Sequence, residues 1–238
     1  MYINMTACTP VGKTTHKRTV SDTQSCRKYT HAVWDFNGTI LDDVRVGIDV
    51  VNTLLARRAL PQIDSAERYR SLFRFPIKDY YSDLGFDFSK ECYEDIADEW
   101  ARLYDENSVR APLREGVTEA LSRFRRAGVS LSVLSASEKG MLTSMLGARG
   151  ILDCFDDIVG LDGFCAHSKT EAAALWVARV RPQRTLMIGD TDHDFFAARA
   201  MGADCVLVCG GHQSRQVLER CGCPVLENIA QAADYAGV

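Results

Sequence analysis

The sequence predicts an α/β fold, a doubly wound parallel sheet with an all-helical insert after its first strand. Three observations carry this. From Pro112 onward, short apolar runs alternate with segments of helical periodicity, the pattern of a parallel sheet covered by helices on both faces. Between Val44 and about residue 110 the apolar spacing is helical throughout, with no strand. The stretch His31–Asp43, HAVWDFNGTILDD, runs from an apolar strand into Asp35 and then into a turn at Gly38. A buried strand that delivers a carboxylate at its C-terminal end is where open α/β sheets place their chemistry. Taken alone, the same segment also reads as a strand, a glycine turn and a helix cap.

After the first strand, Asp43 is placed to cap a helix in which Val44, Ile48, Val51, Leu54 and Leu55 recur at helical spacing through Ala59, before Pro61. Further helices are expected over Ser65–Phe73, Ile77–Leu84 (opened by Pro76, closed by Gly85) and Ser89–Glu106. The last would put Cys92, Ile96, Trp100 and Leu103 on one face. Then come a helix over Gly116–Ala127, stopped at Gly128, and a strand over Val129–Leu134. A helix over Lys139–Arg149, a short strand at Asp157–Val159 and a helix over Lys169–Val180 follow. A strand over Thr185–Gly189, a helix over Asp192–Met201, a strand over Cys205–Val208 and two short helices finish the chain. This gives three regions: an extension (1–30), an α/β core (31–43 and 111–238) and a helical insert (44–110).

Composition narrows the functional classes. The 238 residues are 46% hydrophobic and 25% charged, ordinary for a globular protein. A net charge of -4 with no long basic stripe in the body argues against a nucleic-acid partner, and no apolar run is long enough to span a membrane. The nine cysteines are scattered without a CxxC pair; Cys221 and Cys223 are the close ones, so reduced thiols in a cytoplasmic protein are expected. Residues 1–30 hold five basic residues against one acid, leaving 23 bases and 31 acids elsewhere. They are rich in Thr and Ser without apolar periodicity and read as a disordered extension, acid-poor as transit peptides are. Gly12-Lys13-Thr14 mimics the end of a phosphate-binding loop, but Ala7 stands where that loop needs glycine.

Four segments taken together identify a resemblance. Asp35-Phe36-Asn37-Gly38-Thr39 is similar to a motif Asp-x-Asp-Gly-Thr with one departure, and Leu131–Ser135 is a strand ending in serine. Lys169 opens a helix in HSKTEAA, and Thr185–Asp194 is an apolar strand followed by Gly-Asp-x-x-x-Asp. In this order the segments resemble the haloacid dehalogenase-like superfamily of phosphotransferases, over roughly residues 30–238. The branch it looks most similar to is the phosphoglycolate phosphatase-like one, with a helical cap inserted after the first motif.

The resemblance implies roles. Asp35 would be the nucleophile that forms an aspartyl-phosphate. Asp35 and Asp190, with the backbone carbonyl of Asn37, would hold Mg2+, a cation that prefers oxygen ligands. Asp194, one helical turn on, would act behind them or through water. Ser135, with Ala136 beside it and Ser137 as a rival, and Lys169 would bind the phosphate. Each has a plainer reading: a turn cap for Asp35, a helix cap for Asp190, an ordinary strand-end serine for Ser135. A lysine at a helix start, by contrast, works against the dipole. Asp192 reads as a helix cap, His193 as solvent-facing and His167 as a loop residue. Arg74 and Lys78, in RFPIKDYY, would contact an anionic substrate, or else Tyr80 and Tyr81 pack the helices while the charges stay solvated.

Asn37 is the departure. Family phosphatases carry there a carboxylic acid that protonates the leaving oxygen and then activates water, which an amide cannot do. The expectation is a Mg2+-dependent phosphatase of a small phosphorylated metabolite, monomer or homodimer. It would favour good leaving groups, turn over slowly, or borrow a proton from the cap. Its rivals are a nearly inactive phospho-ligand binder, a phosphomutase, or a phosphonate hydrolase using Lys78. Dehalogenation needs no metal, so the retained Asp190 and Asp194 speak against it.

Overall fold

A computed structural model describes residues 28–161 and 168–238. Residues 1–27 of the expected extension, with Gly12–Thr14, and His167 lie outside the described residues. Lys28–Thr30 belong to the fold rather than to the extension: Tyr29 is buried and its hydroxyl donates to Asp204 (2.8 Å).

The elements run β1 (His31–Trp34), α1 (Val44–Arg57), α2 (Ala66–Leu72), α3 (Ile77–Asp83), α4 (Tyr93–Ser108), α5 (Val117–Arg126), β2 (Ser130–Leu134), α6 (Lys139–Ala148), β3 (Asp157–Val159), α7 (Lys169–Val180), β4 (Thr185–Gly189), α8 (Asp192–Met201), β5 (Asp204–Val208), α9 (Arg215–Glu219), β6 (Val225–Leu226) and α10 (Ala230–Ala236). Among the described residues the six strands are all parallel, in the order β3-β2-β1-β4-β5-β6. The chain winds outward from β1 in one direction, then returns to start again at β4. β1 and β4 therefore flank the point where the strand order reverses, and side chains just past their carboxyl ends face a common crevice. β6 was not foreseen; two residues after Pro224 carry too short a pattern to read.

Alternation in the strands explains the two layers of helices. Ala32 and Trp34 of β1 face one side, with Leu131, Val133, Leu186 and Ile188, and pack on α5, α6 and α10. Val33 faces the other, with Leu134, Met187 and Leu207, against α7 and α8. Trp34 meets Phe124 of α5 edge-on, ring centroids 5.6 Å apart.

Helices α1–α4 close on a separate cluster that includes Val51, Leu54, Leu55, Tyr69, Tyr81 and Ile96. The five residues expected on the buried face of α1 are all buried there. On α4, Ile96 is buried but Cys92 is exposed, because the helix begins one residue later, after a turn in which Asp87 accepts from the Ser89 amide (3.0 Å). Among the described residues no helix is long and apolar enough to cross a membrane.

Phe124 is fully buried beside the central strand. Phe124→Ala should lower unfolding stability by about 3–5 kcal/mol, the range for removing a buried aromatic ring. A urea denaturation midpoint within error of the parent would show that this layer does not hold the sheet.

Candidate active site

Strand register assembles the site. Trp34 pairs with Val133 on one side and Ile188 on the other, so Asp35, Ser135 and Asp190 emerge within about a residue's step of one another. The Asp35 amide donates to the Ile188 carbonyl (2.9 Å), fixing the exit of the chain. Lys169 comes in from the start of α7, where Ser168 caps the helix by accepting from the Glu171 amide (3.1 Å). Its ammonium donates to both Asp35 and Asp194.

Asp190 is fully buried. Thr39 donates to its Oδ1 (2.8 Å) and the His212 amide to its Oδ2 (2.7 Å). Two glycines make room for it. A Cβ at Gly38, where φ is +75°, or at Gly211 would collide with the Asp190 carboxylate. Asp194 Oδ2 accepts from the amides of Asp190 (3.0 Å) and Thr191 (2.9 Å), while Thr191 caps α8. This corrects the role expected of Asp192, which lies inside the helix and takes Gln213 as partner (2.9 Å). His193 is half-buried and stacked on Phe75, centroids 3.5 Å apart, rather than facing solvent.

Asp35, Asp190 and Asp194 offer oxygens that lie within 4.8 Å of one another, all buried. Burial raises the pKa of both Asp35 and Asp190, and the neighbouring carboxylates add to it; Lys169 acts the other way on Asp35, as does His212 on Asp190. Burial opposes the charge on Lys169, yet Asp194 and Asp35 outweigh it and hold the ammonium protonated. Three carboxylates against one ammonium is an anionic surplus made of hard oxygen donors, and a divalent cation suits it.

Asn37 sits beside these groups in a second network. Its Nδ2 donates to Asp43 Oδ2 (3.0 Å) and to the Tyr104 hydroxyl (2.6 Å), and its Oδ1 accepts from Ser137 (3.1 Å) and Ser135 (3.4 Å). Asp43 also accepts from the Gly38 amide (2.7 Å), from Tyr104 and from His212 Nε2 (3.2 Å). Its side chain makes no cap to α1, the role expected of it, because these partners turn it inward. Burial opposes charge on His212, but Asp43 and Asp190 prevail and push it up to about 9. Arg114 straps the site by donating to the carbonyls of Gly38 (2.7 Å) and Cys209 (2.6 Å).

A cavity of about 510 Å³ opens from these residues toward α1–α4, lined by Asp35, Asn37, Ser135, Ala136 and Lys169 at its base and by aromatic rings above. Arg74 and Lys78 do not line it. Arg74 is exposed and paired with Asp83 (2.6 Å), and Lys78 lies over the Phe88 and Tyr93 rings (5.3 and 5.7 Å). Tyr80 and Tyr81 are buried among the helices, so this segment follows the packing alternative. Sequence reasoning missed Asp43 as a site residue, and missed Tyr104, Arg114 and His212 altogether. His212 had a signal, since Gly210-Gly211 follows an apolar strand just as Gly189 ends one.

A family model described as haloacid dehalogenase-like hydrolase matches residues 32–208. Tyrosine-protein kinase PtkA of Mycobacterium tuberculosis is 27% identical over 206 residues, 83% of this chain and 68% of that protein. Phosphoglycolate phosphatase 1 of Pseudomonas aeruginosa is 24% identical over 208 residues, 83% of this chain and 76% of that one. Among solved structures, a haloacid dehalogenase-like family hydrolase of Streptococcus pneumoniae superposes with a TM-score of 0.74 at 17% identity, covering 87% of this chain and 98% of that one.

The His212–Asp43 pair has a pH consequence. His212 holds its proton in the fold to about pH 9, whereas an ordinary histidine releases it near 6.5. The stabilisation is therefore complete below about pH 6.5 and is lost as pH rises through 9, with a slope of up to about 1.4 kcal/mol per pH unit. Urea unfolding without added divalent cation, at pH 6 and 9.5, should show this loss in the parent and a flatter profile in His212→Gln.

Proposed function

The chain belongs to the haloacid dehalogenase-like hydrolase family, and from that premise we propose that it is a Mg2+-dependent phosphatase of a small phosphorylated metabolite, working through an aspartyl-phosphate on Asp35. One observation carries the reading: a buried Asp35 at the strand-order reversal shares one lysine with Asp194 and lies beside Asp190.

In the proposed reaction an Asp35 carboxylate oxygen attacks phosphorus and the ester oxygen departs with the bonding pair. Lys169 offsets charge on the phosphate, and the Ser135 hydroxyl and Ala136 amide bind its oxygens. Water then attacks phosphorus, releasing inorganic phosphate and restoring the carboxylate. Asp35, Asp190 and the Asn37 carbonyl would hold Mg2+, with Asp194 behind them; the cation would neutralise phosphate oxygens.

Asn37 has no proton to give, so the departing oxygen leaves as an anion unless something else protonates it. Its amide instead ties Asp43 to Ser137. An aspartate at 37 would face the Asp43 carboxylate at hydrogen-bond range, and two such groups share a proton. That proton is the general acid the site lacks. The locked amide also favours a second reading, a phospho-ligand binder with little turnover.

Phosphate release over a panel of phosphorylated metabolites and acyl phosphates tests this. Asp35→Asn should abolish Mg2+-dependent release and phospho-enzyme trapping. Asn37→Asp should raise turnover of alkyl esters by about 10²–10⁴-fold. A parent chain inert on every substrate, with no phospho-enzyme, supports the binder instead.

A further inference from the structure

Resting on the phosphatase reading above, we propose that the substrate is an aryl phosphate monoester: a phosphate on a phenolic oxygen, carried by a planar group without a second negative charge.

The cavity walls are the first argument. Above the carboxylates the space is bounded by Tyr69, Phe73, Phe75, Tyr81, Tyr93 and Trp100. At about 510 Å³ it is in the range of sites that enclose drug-sized ligands, far more than a two-carbon acid fills. Trp100 stacks on Tyr104 at 4.7 Å, and the Tyr104 hydroxyl accepts from Asn37, so an aromatic column rises directly from the reaction centre. Planar rings accept such a surface at little cost in conformational freedom.

Charge is the second. Among the described residues, the basic side chains lining the cavity are Lys169, His193 and His212. Lys169 is held by Asp35 and Asp194, and His212 by Asp43. His193 lies stacked on Phe75. Two further acids, Asp105 and Glu138, line the cavity as well. A second carboxylate or phosphate on the substrate would face an acidic lining in which, among the described residues, Lys169 and His212 are already paired with carboxylates.

The leaving group is the third argument, independent of the other two. A site with Asn37 expels the ester oxygen without a proton. A phenolic oxygen has a pKa of about 10 and departs as phenolate, whereas an alcohol, closer to water at about 15.7, does not. Walls, charge and chemistry thus select the same class.

The test uses the full chain with Mg2+ and four substrates: phenyl phosphate, benzyl phosphate, 2-phosphoglycolate and acetyl phosphate. Benzyl phosphate keeps the ring but has an alkyl leaving oxygen; acetyl phosphate reports the phosphatase reading alone. Phenyl phosphate should exceed 2-phosphoglycolate in kcat/KM by at least about tenfold and exceed benzyl phosphate in kcat, and Asn37→Asp should narrow the second gap. Trp100→Ala should raise KM for phenyl phosphate about tenfold relative to its effect on acetyl phosphate, and Trp100→Phe should restore most of that. Cleavage of acetyl phosphate with 2-phosphoglycolate equal to or better than phenyl phosphate overturns the aryl class and leaves the phosphatase reading standing. If nothing is cleaved, the phosphatase reading falls. Calorimetry then decides the ligand class: phenylphosphonate binding tighter than phosphonoacetate supports it, and the reverse order overturns it.

Discussion

The rest of the site depends on a shortage of positive charge. Asp35, Asp190 and Asp194 are buried at the carboxyl edge of the sheet, and the Lys169 ammonium bridges two of them. These side chains are almost wholly buried, and the surrounding chain supplies dipoles to them. Asp190 takes a threonine hydroxyl and a backbone amide, and Asp194 takes two amides and a hydroxyl at the start of α8. The glycines at 38 and 211 exist in this frame as absences of a side chain, letting backbone come against a carboxylate. The capping of α8 is the same device seen from the helix: its free amides are satisfied by a carboxylate that the site also uses.

The helical insert is joined to this centre through polar contacts rather than only through packing. Asp43, at the threshold of α1, gathers Gly38, Asn37, Tyr104 of α4 and His212 of the loop after β5. Tyr69 of α2 completes the circle through His212 Nδ1 (2.9 Å). Three parts of the chain distant in sequence therefore meet on one carboxylate. A displacement of α1–α4 would have to break these hydrogen bonds in a buried setting, where each unmade bond leaves a polar group stranded. The roof of the cavity and the floor of the site are in this sense one structure.

Most of the fold was legible because its signals are local. Alternating apolar runs announced β1, β2, β4 and β5, and helical spacing announced α1–α8, with boundaries shifted by a few residues at α1 and α4. The core of the candidate site was legible through the four segments that carry the family resemblance, in which Asp35, Ser135 and Asp190 each stand just past a strand. The rest was not, because it rests on meetings no local pattern encodes. Asp43 reads as a cap from its neighbours alone; only the fold turns it toward Asn37. Tyr104 sits at a helical spacing that suits any buried aromatic. Arg74 and Lys78 read as a basic pair beside aromatics, yet the acids that neutralise or flank them lie on the same exposed surface, and Lys78 spreads over rings. Local charge could suggest an anion site there; only the packing sends those groups outside the cavity.

Asn37 is where sequence and structure add up to more than either. In the sequence it is a lost proton donor. In the structure it is a donor of another kind, an amide whose two hydrogens go to Asp43 and Tyr104 and whose oxygen gathers two serines. An acid in that place would compete with Asp43 for one proton, so the amide relieves a like-charge conflict that the neighbouring carboxylate creates. In the proposed phosphatase reaction this relief would have a chemical consequence: with no proton transfer at that position, the barrier would fall on the stability of the departing oxygen. On the proposed reading, a chain that carries an amide there is restricted to substrates whose oxygen leaves unaided, and the aromatic walls above the same residue would restrict them in the same direction.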